Sequence, residues 1–443
     1  MFSMDTLELA RFQFASTLMF HIIFLALSIG LSTYLAFLRC MAAWKDDELY
    51  LGIYRYWLPH FTANYGAGVV SGVVMAFELG LNWQGFTRAA GGINGVLLSY
   101  EVLTAFFLEA TFFGLMVFGE GKISPRLHCF SAVMVAVGAY LSTFWILSSN
   151  SWMQTPSGFV REGGRFIPDD WLQVIFNPSS IFRLVHMSFA AMIATAFVVA
   201  SVAAWHLLKD RADPASCKML SMALWMLTFV VPLQIVAGDL HGLNTLENQP
   251  VKVAAMEAYW ERKPEQGGMP MVVAAWPDSE SESNRFALEI PRLSSLYLTH
   301  SLTEKIRPLT AWPESERPNV PLVFWAFRTM VYIGFTMLGI VAMSLVLRRR
   351  KALFRYRWFL RLMVAALPIG LVAIEAGWIT TEAGRQPWII YGEMTTRDAV
   401  TPFESWQLIS SLAVFWTIYT LVSAAGTYLF FKLARRPPKA LLK

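Results

Sequence analysis

Nine stretches of the chain run apolar for about twenty residues or more, and the charged residues collect between them. The stretches lie at roughly 13–39, 56–81, 95–118, 126–149, 181–208, 219–240, 321–347, 358–382 and 405–433. At about 1.5 Å per residue, each is long enough to cross a hydrocarbon core of about 30 Å. The pattern predicts an all-α fold, a polytopic membrane helix bundle of about nine transmembrane helices. One connection, 241–320, is long, rich in proline and mixed in charge, and loops of that length are usually functional or disordered. Within it Asp278–Asn284 (D-S-E-S-E-S-N) reads as a solvated turn, and Val251–Arg262 as a short amphipathic helix resting on the membrane surface. Three regions follow: helices one to six in 1–240, an external loop in 241–320, and helices seven to nine with a basic loop and tail in 321–443.

An odd number of crossings puts the termini on opposite sides, so the loop charges choose the orientation. Lys45, Arg55, Lys122, Arg126, Lys209, Arg211, Lys218, the Arg348-Arg349-Arg350-Lys351 cluster and the Lys432–Lys443 tail all fall on one side, whereas the opposite loop 82–94 has only Arg88. The positive-inside rule then gives N-terminus outside and C-terminus inside. Met1–Arg11 carries Asp5 and Glu8 and lacks a basic start and a cleavage site, so the first apolar run reads as a retained helix. Composition agrees: 56% of residues are hydrophobic and 15% charged, with 17 Trp and 33 Phe, at a mean hydropathy of +0.46. The basic clusters flank spans, which argues for cytoplasmic ends and against nucleic-acid binding. Cys40, Cys129 and Cys217 are too scattered for a disulfide framework or a zinc site, so they read as inert free thiols near the reducing inner face.

Ionisable groups within lipid are costly, and here they share a depth. Counted inward from the outer face, His21, Glu101, His186, Met330 and Glu375 all lie roughly 8–13 Å deep. Glu109 lies about 12 Å further in than Glu101 and about 80° around the helix. Taken singly, a His is a hydrogen-bonding core residue, a Met is packing, and a Glu is a shared-proton carboxyl. Together, with Arg11, Arg183, Arg328 and Arg385 near the same face, they point to haem: ligands for iron and guanidinium groups for propionates. His60, His128, His206 and His300 fall at ends and in loops and receive no redox role. No P-loop, dinucleotide fingerprint or Ser-His-Asp pattern is present.

Leu9–His21 (L-A-R-F-Q-F-A-S-T-L-M-F-H), Thr104–Glu109 (T-A-F-F-L-E), Leu141–Trp152, Phe327–Met330 (F-R-T-M) and Ile374–Trp388, with its E-A-G-W and G-R-Q-P-W, carry a resemblance over nearly the whole chain. The sequence resembles subunit I of the cytochrome bd-type quinol oxidases. The resemblance implies that His186 and Met330 are the axial ligands of a low-spin b haem, with Arg328 close enough to stabilise its charge. It implies that His21 and Glu375 hold a high-spin b haem and haem d, in an order the sequence leaves open. Whether b-type haem replaces haem d is open as well. Glu101 matches a residue beside haem d, and Glu109 with Ser142 a proton route from the cytoplasm. Lys252 and Glu257 match the quinol site, where Glu257 can accept a proton and Lys252 can steady a developing oxyanion. The chain reaches Pro321 soon after Trp312, so it resembles the short-loop branch that includes cyanide-insensitive oxidases.

The function so implied is quinol:oxygen oxidoreduction in a bacterial inner membrane. Quinol would be oxidised outside and oxygen reduced to water with protons from inside, which builds a proton motive force without a pump. A second membrane subunit, subunit II, and small single-span subunits are the expected partners. The alternative of another class is a proton-coupled transporter using Glu101, Glu109 and Glu375. It predicts inverted repeats and broken helices, which the sequence lacks. A third reading, an electron-transfer subunit with no open iron, needs paired ligands for every haem, and Glu375 and the unpaired His21 argue against it.

Overall fold

The computed structural model describes residues 6–260 and 267–438. Among them, nine helices are long and apolar enough to cross a membrane: Thr6–Lys45, Glu48–Asn82, Gln84–Phe118, Pro125–Gln154, Trp171–Lys209, Pro214–Asn248, Val320–Arg349, Arg357–Ala383 and Ser405–Ala434, here spans one to nine. Every expected span is present, each helix outruns its apolar run, and four of the helices start on polar caps. Asp47, Ser124, Asp213 and Asn319 accept hydrogen bonds from the first free backbone N–H groups of their helices. Span six continues through residue 240 to Asn248. Span eight is interrupted at Ala366–Pro368, where Pro368 has no N–H to donate.

Span five is the centre of the bundle. Its apolar window is 78% buried, against 11% in spans two and nine. It packs on spans one, four, six and eight. Ala, Val and Ser predominate from Ala194 to Ala204 and let neighbouring backbones approach.

The described residues of the connection between spans six and seven form regular elements. A helix, Pro250–Met256, is followed by the antiparallel hairpin Met271–Asp278 with Ser283–Ile290, and the turn between these strands lies within the expected Asp278–Asn284 segment. A buried cluster ties this loop to the start of span seven through Val253, Tyr259, Trp260, Leu309, Val323 and Phe324. The expected amphipathic helix needs correcting. It ends at Met256, and Val251 to Met256 are all buried, so it is an internal helix and not a surface one; residues 261–262 of the expected range lie outside the described residues. Two shorter hairpins cap the same end of the bundle, Phe159–Glu162 with Arg165–Pro168 and Trp388–Ile390 with Met394–Thr395. The Gln386–Pro387 peptide is cis.

The expectation of three free thiols is overturned. Cys40, near the end of span one, and Cys129, near the start of span four, form a disulfide with Cα atoms 5.1 Å apart, and Cys217 alone is free. The 89 residues separating the pair hid a close contact, because spans one and four pack side by side and bring those two ends to the same face.

Candidate functional site

A cavity of about 770 Å³ lies between spans five to eight and the loop helix, and its walls bring together His186, Met330, Arg328, Lys252 and Glu257. Two glycines make room at its sulfur and imidazole groups. A Cβ at Gly238 would stand 3.2 Å from His186 Cε1, and one at Gly377 would stand 3.0 Å from Met330 Sδ. Gln234 Nε2 lies 3.3 Å from His186 Nε2, while His186 Nδ1 and Gln234 Oε1 are buried without partners.

Lys252 and Glu257 are each 2% exposed, so they are not a surface pair, and each has its own partners. Lys252 Nζ donates to Gln154 Oε1 at 2.6 Å and to Gln249 Oε1 at 2.7 Å. Burial, and then the neighbouring Arg183, hold its pKa well below 10.5, with Glu382 acting in the opposite direction. Glu257 meets Arg328 in a two-pronged ion pair, 2.9 Å at Nη2 and 3.3 Å at Nη1, and accepts from Ser294 Oγ at 2.8 Å. Arg328 Nε donates to the Val272 carbonyl at 2.7 Å. Tyr297, beside Ser294, has its phenol pKa pushed well up by burial and by Glu257.

Glu101 and Glu109 do not have the expected 80° offset. Two π-helical turns, Gly91–Gly95 and Val102–Phe106, interrupt span three, the second directly after Glu101. A π turn inserts one residue without its share of rotation, so the angle between the two carboxylates shrinks to about 20°. Span four records the result. Ser142 Oγ donates to Glu101 Oε1 at 2.7 Å, and Glu109 Cγ fills the space one turn away that a Cβ on Gly138 would enter at 2.4 Å. Both carboxylates therefore face the Gly138–Ser142 side of span four. Ser142 bonds Glu101 rather than Glu109.

His21 and Glu375 do not line the cavity. His21 Nδ1 is 2.9 Å from Ser71 Oγ, and a Cβ at Gly72 would stand 3.2 Å from His21 Cε1. Both oxygens of Glu375 are buried without a partner among the described residues. Arg11 donates to Gln386 Oε1. Arg385 Nη2 pairs with Glu382 Oε2 at 2.5 Å, leaving Nε and Nη1 buried and unpartnered. Arg183 Nη1 donates to Asn150 Oδ1 at 2.7 Å.

A buried donor or acceptor left unmade costs about 1–3 kcal/mol, and His186, Glu375 and Arg385 are among the residues that carry such orphans. Among the described residues no three His, Cys, Asp or Glu side chains converge on a bare ion. Isolated ligand residues, glycine-cleared space and unpaired guanidinium nitrogens fit a macrocycle that brings its own equatorial ligands and carboxylates.

Several site residues escaped sequence reasoning. His241 lines the cavity with its ring 5.5 Å from that of His186. The polar stripe Gln234, Gly238, His241 and Thr245, at helical spacing, is the signal that could have found it. Glu382 accepts from Asn150, Gln154 and Arg385. Glu78 is 1% exposed and accepts from Thr17 at 2.8 Å and Gln13 at 3.2 Å; its repeat with Ser71 at seven residues marks the face of span two toward span one.

The family model described as cytochrome bd terminal oxidase subunit I matches residues 9–438. The chain is 34% identical to the cytochrome bd ubiquinol oxidase subunit 1 of Bacillus subtilis (strain 168), over 97% of this chain and 93% of that one. It is 31% identical to the cytochrome bd-II ubiquinol oxidase subunit 1 of Escherichia coli (strain K12), over 99% and 98%. That second alignment runs to 504 positions against this chain's 443 residues, so the Escherichia coli protein carries insertions that this chain lacks. Among solved structures, bd oxidase from Geobacillus thermodenitrificans superposes with a TM-score of 0.89 at 30% identity, covering 98% of this chain and 99% of that one.

Proposed function

Because this chain belongs to the family of cytochrome bd terminal oxidase subunit I, and is thus a multi-pass subunit of a haem-bearing terminal quinol oxidase, we propose how its residues divide the work. The carrying observation is the shared cavity: His186 and Met330 line the same space as Lys252 and Glu257. Quinol bound against the loop helix therefore sits beside the pair best suited to hold a low-spin b haem. His21 and Glu375 hold the two high-spin haems, one b-type and one d-type, in either order. Bound there, haem would supply a one-electron acceptor at His186 and Met330 and the redox centre for oxygen reduction at His21 and Glu375.

The remaining roles belong to this chain's side chains. The free nitrogens of Arg385, with Arg11 nearby on Gln386, offset carboxylate charge at the outer ends of the spans. Lys252 and Glu257 bind the two-electron donor, and the buried apolar loop cluster excludes water around it. Glu109 and Glu101, aligned on one face of span four with Ser142 on Glu101, hold protons drawn from inside for the reduction of oxygen to water. With the N-terminus outside and the C-terminus inside, quinol protons leave to the outer face. Charge then separates across a bacterial inner membrane without a pump. A second membrane subunit and small single-span subunits complete the assembly. In regional terms, 1–240 and 321–443 carry the haem ligands and 241–320 the quinol site.

The test is the reduced-minus-oxidised spectrum of the purified complex, with haem extraction to count types. His186→Ala should remove one b-haem signal and quinol turnover together while leaving the high-spin bands. A protein without haem bands, or a His186→Ala variant that keeps the low-spin band, would sink the assignment.

A further inference from the structure

The hydrogen bonds around Lys252 have only one consistent direction. Glu382 accepts from Asn150 Nδ2 at 3.0 Å and from Arg385 Nη2 at 2.5 Å. An ionised carboxylate can only accept, so Gln154 must present its Nε2 to Glu382, as it does at 3.2 Å. That turns Gln154 Oε1 toward Gln249 Nε2 at 3.1 Å and Lys252 Nζ at 2.6 Å. Gln249, having given its Nε2, offers Oε1 to Lys252 at 2.7 Å. Two amide oxygens thus claim two N–H groups of Lys252. One tetrahedral position remains on Nζ, for the cavity that Lys252 lines.

What occupies that position depends on charge. Arg183, Arg385 and His241 surround Lys252, and Glu382 is the carboxylate among its neighbours. A third proton would add an ammonium to a buried site already rich in guanidinium. A neutral amine satisfies both amide oxygens and presents a lone pair. Glu257 is placed oppositely, since both of its oxygens are engaged by Arg328 and one also by Ser294. Protonating it would strip Arg328, which has no exposed surface, of its counter-charge.

Building on the quinol-site reading above, we propose that Lys252, and not Glu257, is the base that takes the quinol proton, and that Glu382 is the positioning residue that orients it through Gln154. This reverses the roles expected from sequence. Each quinol O–H bond breaks in turn as an N–H bond forms on Lys252, which sheds the first proton before it takes the second. The electron pair of the broken bond stays on the quinol oxygen, from which electrons leave to the oxidase's own acceptor. The ammonium then returns its proton to water on the outer side. Glu257 and Arg328 stay an ion pair throughout and shape the pocket.

The experiment follows haem reduction by a short-chain quinol in the purified complex, by stopped flow across pH, with dithionite reduction and haem spectra as the check on assembly. A base must be neutral to accept, so wild-type rates should fall as pH drops through the Lys252 pKa. Lys252→Met should slow quinol-driven reduction by about a hundredfold or more and erase the acid limb, with dithionite reduction unchanged. Lys252→His, which keeps a titrating nitrogen, should move the limb instead. Glu382→Gln removes the carboxylate that favours the ammonium, so its limb should shift to lower pH. In Glu257→Gln the limb should stay in place, whatever rate remains. As a readout without turnover, a redox-inert phenolic analogue should lose affinity on acidification in wild type but not in Lys252→Met. A limb that vanishes in Glu257→Gln and survives in Lys252→Met would overturn the assignment. Failure of quinol to reduce wild-type enzyme that dithionite reduces would instead overturn the quinol-site reading, and this assignment with it.

Discussion

Arg328 and Glu257 are 0% and 2% exposed, so the value of their pairing lies in what happens when half of it is removed. Breaking a buried pair leaves a desolvated charge and costs roughly 3–5 kcal/mol, whereas removing both charges with well-packed apolar groups is often neutral or better. Arg328→Leu should therefore lower the thermal midpoint of the complex sharply, and Arg328→Met with Glu257→Met should recover much of that loss while quinol oxidation stays impaired. Additive midpoint losses in the double variant would refute the pairing. Lys252 offers a second check through linkage. Its folded pKa lies well below 10.5, so between those values the unfolded chain binds a proton that the folded chain does not, and stability rises with pH. Wild type should gain stability relative to Lys252→Met as pH is raised from neutral toward 10. A constant difference between the two would mean that Lys252 is charged in the fold. At this scale the sequence was informative about residue type and poor about partners. A carboxylate within lipid is visible in one dimension, as Glu375 is. Glu382 is equally buried but lies at the end of its helix, where a Glu is ordinary. His241 was passed over because the apolar run ends just before it, while its helix continues for almost two more turns.

Helices were the most legible elements, because a span must be apolar for its whole length and lipid leaves the backbone no other open-chain solution. Departures from regular helix were not legible. Nothing in V-L-T-A-F announces a π turn, yet that turn brings Glu101 and Glu109 onto one face. Inserting one alanine after Leu103, whose side chain is exposed, adds a residue with its full share of rotation and should turn Glu101 about 100° away from Ser142. Oxygen reduction should then slow, with rapid haem reduction by quinol preserved, since the cavity does not include span three. Gly138→Val should do similar damage from the other side by displacing Glu109. An insertion variant with full turnover would show that the alignment is dispensable. Pairing between elements was equally hidden: Cys40 and Cys129 are remote in sequence and adjacent in the fold. Under denaturing, non-reducing conditions a maleimide should label one thiol, Cys217, and all three only after reduction. Labelling of three thiols without reduction would contradict the bond between spans one and four.

Across the whole molecule, the two groups of buried ionisable side chains stand in different places, and on the proposed reading that separation gives the reaction its direction. Lys252 and Glu257 line the cavity, and Glu382, at the end of span eight, reaches Lys252 through Gln154. Glu101 and Glu109 belong to span three and face span four, and neither lines that cavity. On the proposed sidedness, protons released from quinol at the first set and protons taken up for oxygen reduction at the second belong to different compartments. If the basic loops face inward, the compartment of uptake is the cytoplasm. Oxidase reconstituted in liposomes with the loop outward should then release as many protons outside as electrons passed, with no excess. Glu109→Gln should suppress oxygen reduction without changing the side on which quinol protons appear. An excess of protons per electron would require a pumping element that this arrangement does not contain. Proton release on the same side as uptake would place both acid groups in one compartment and undo the proposed sidedness.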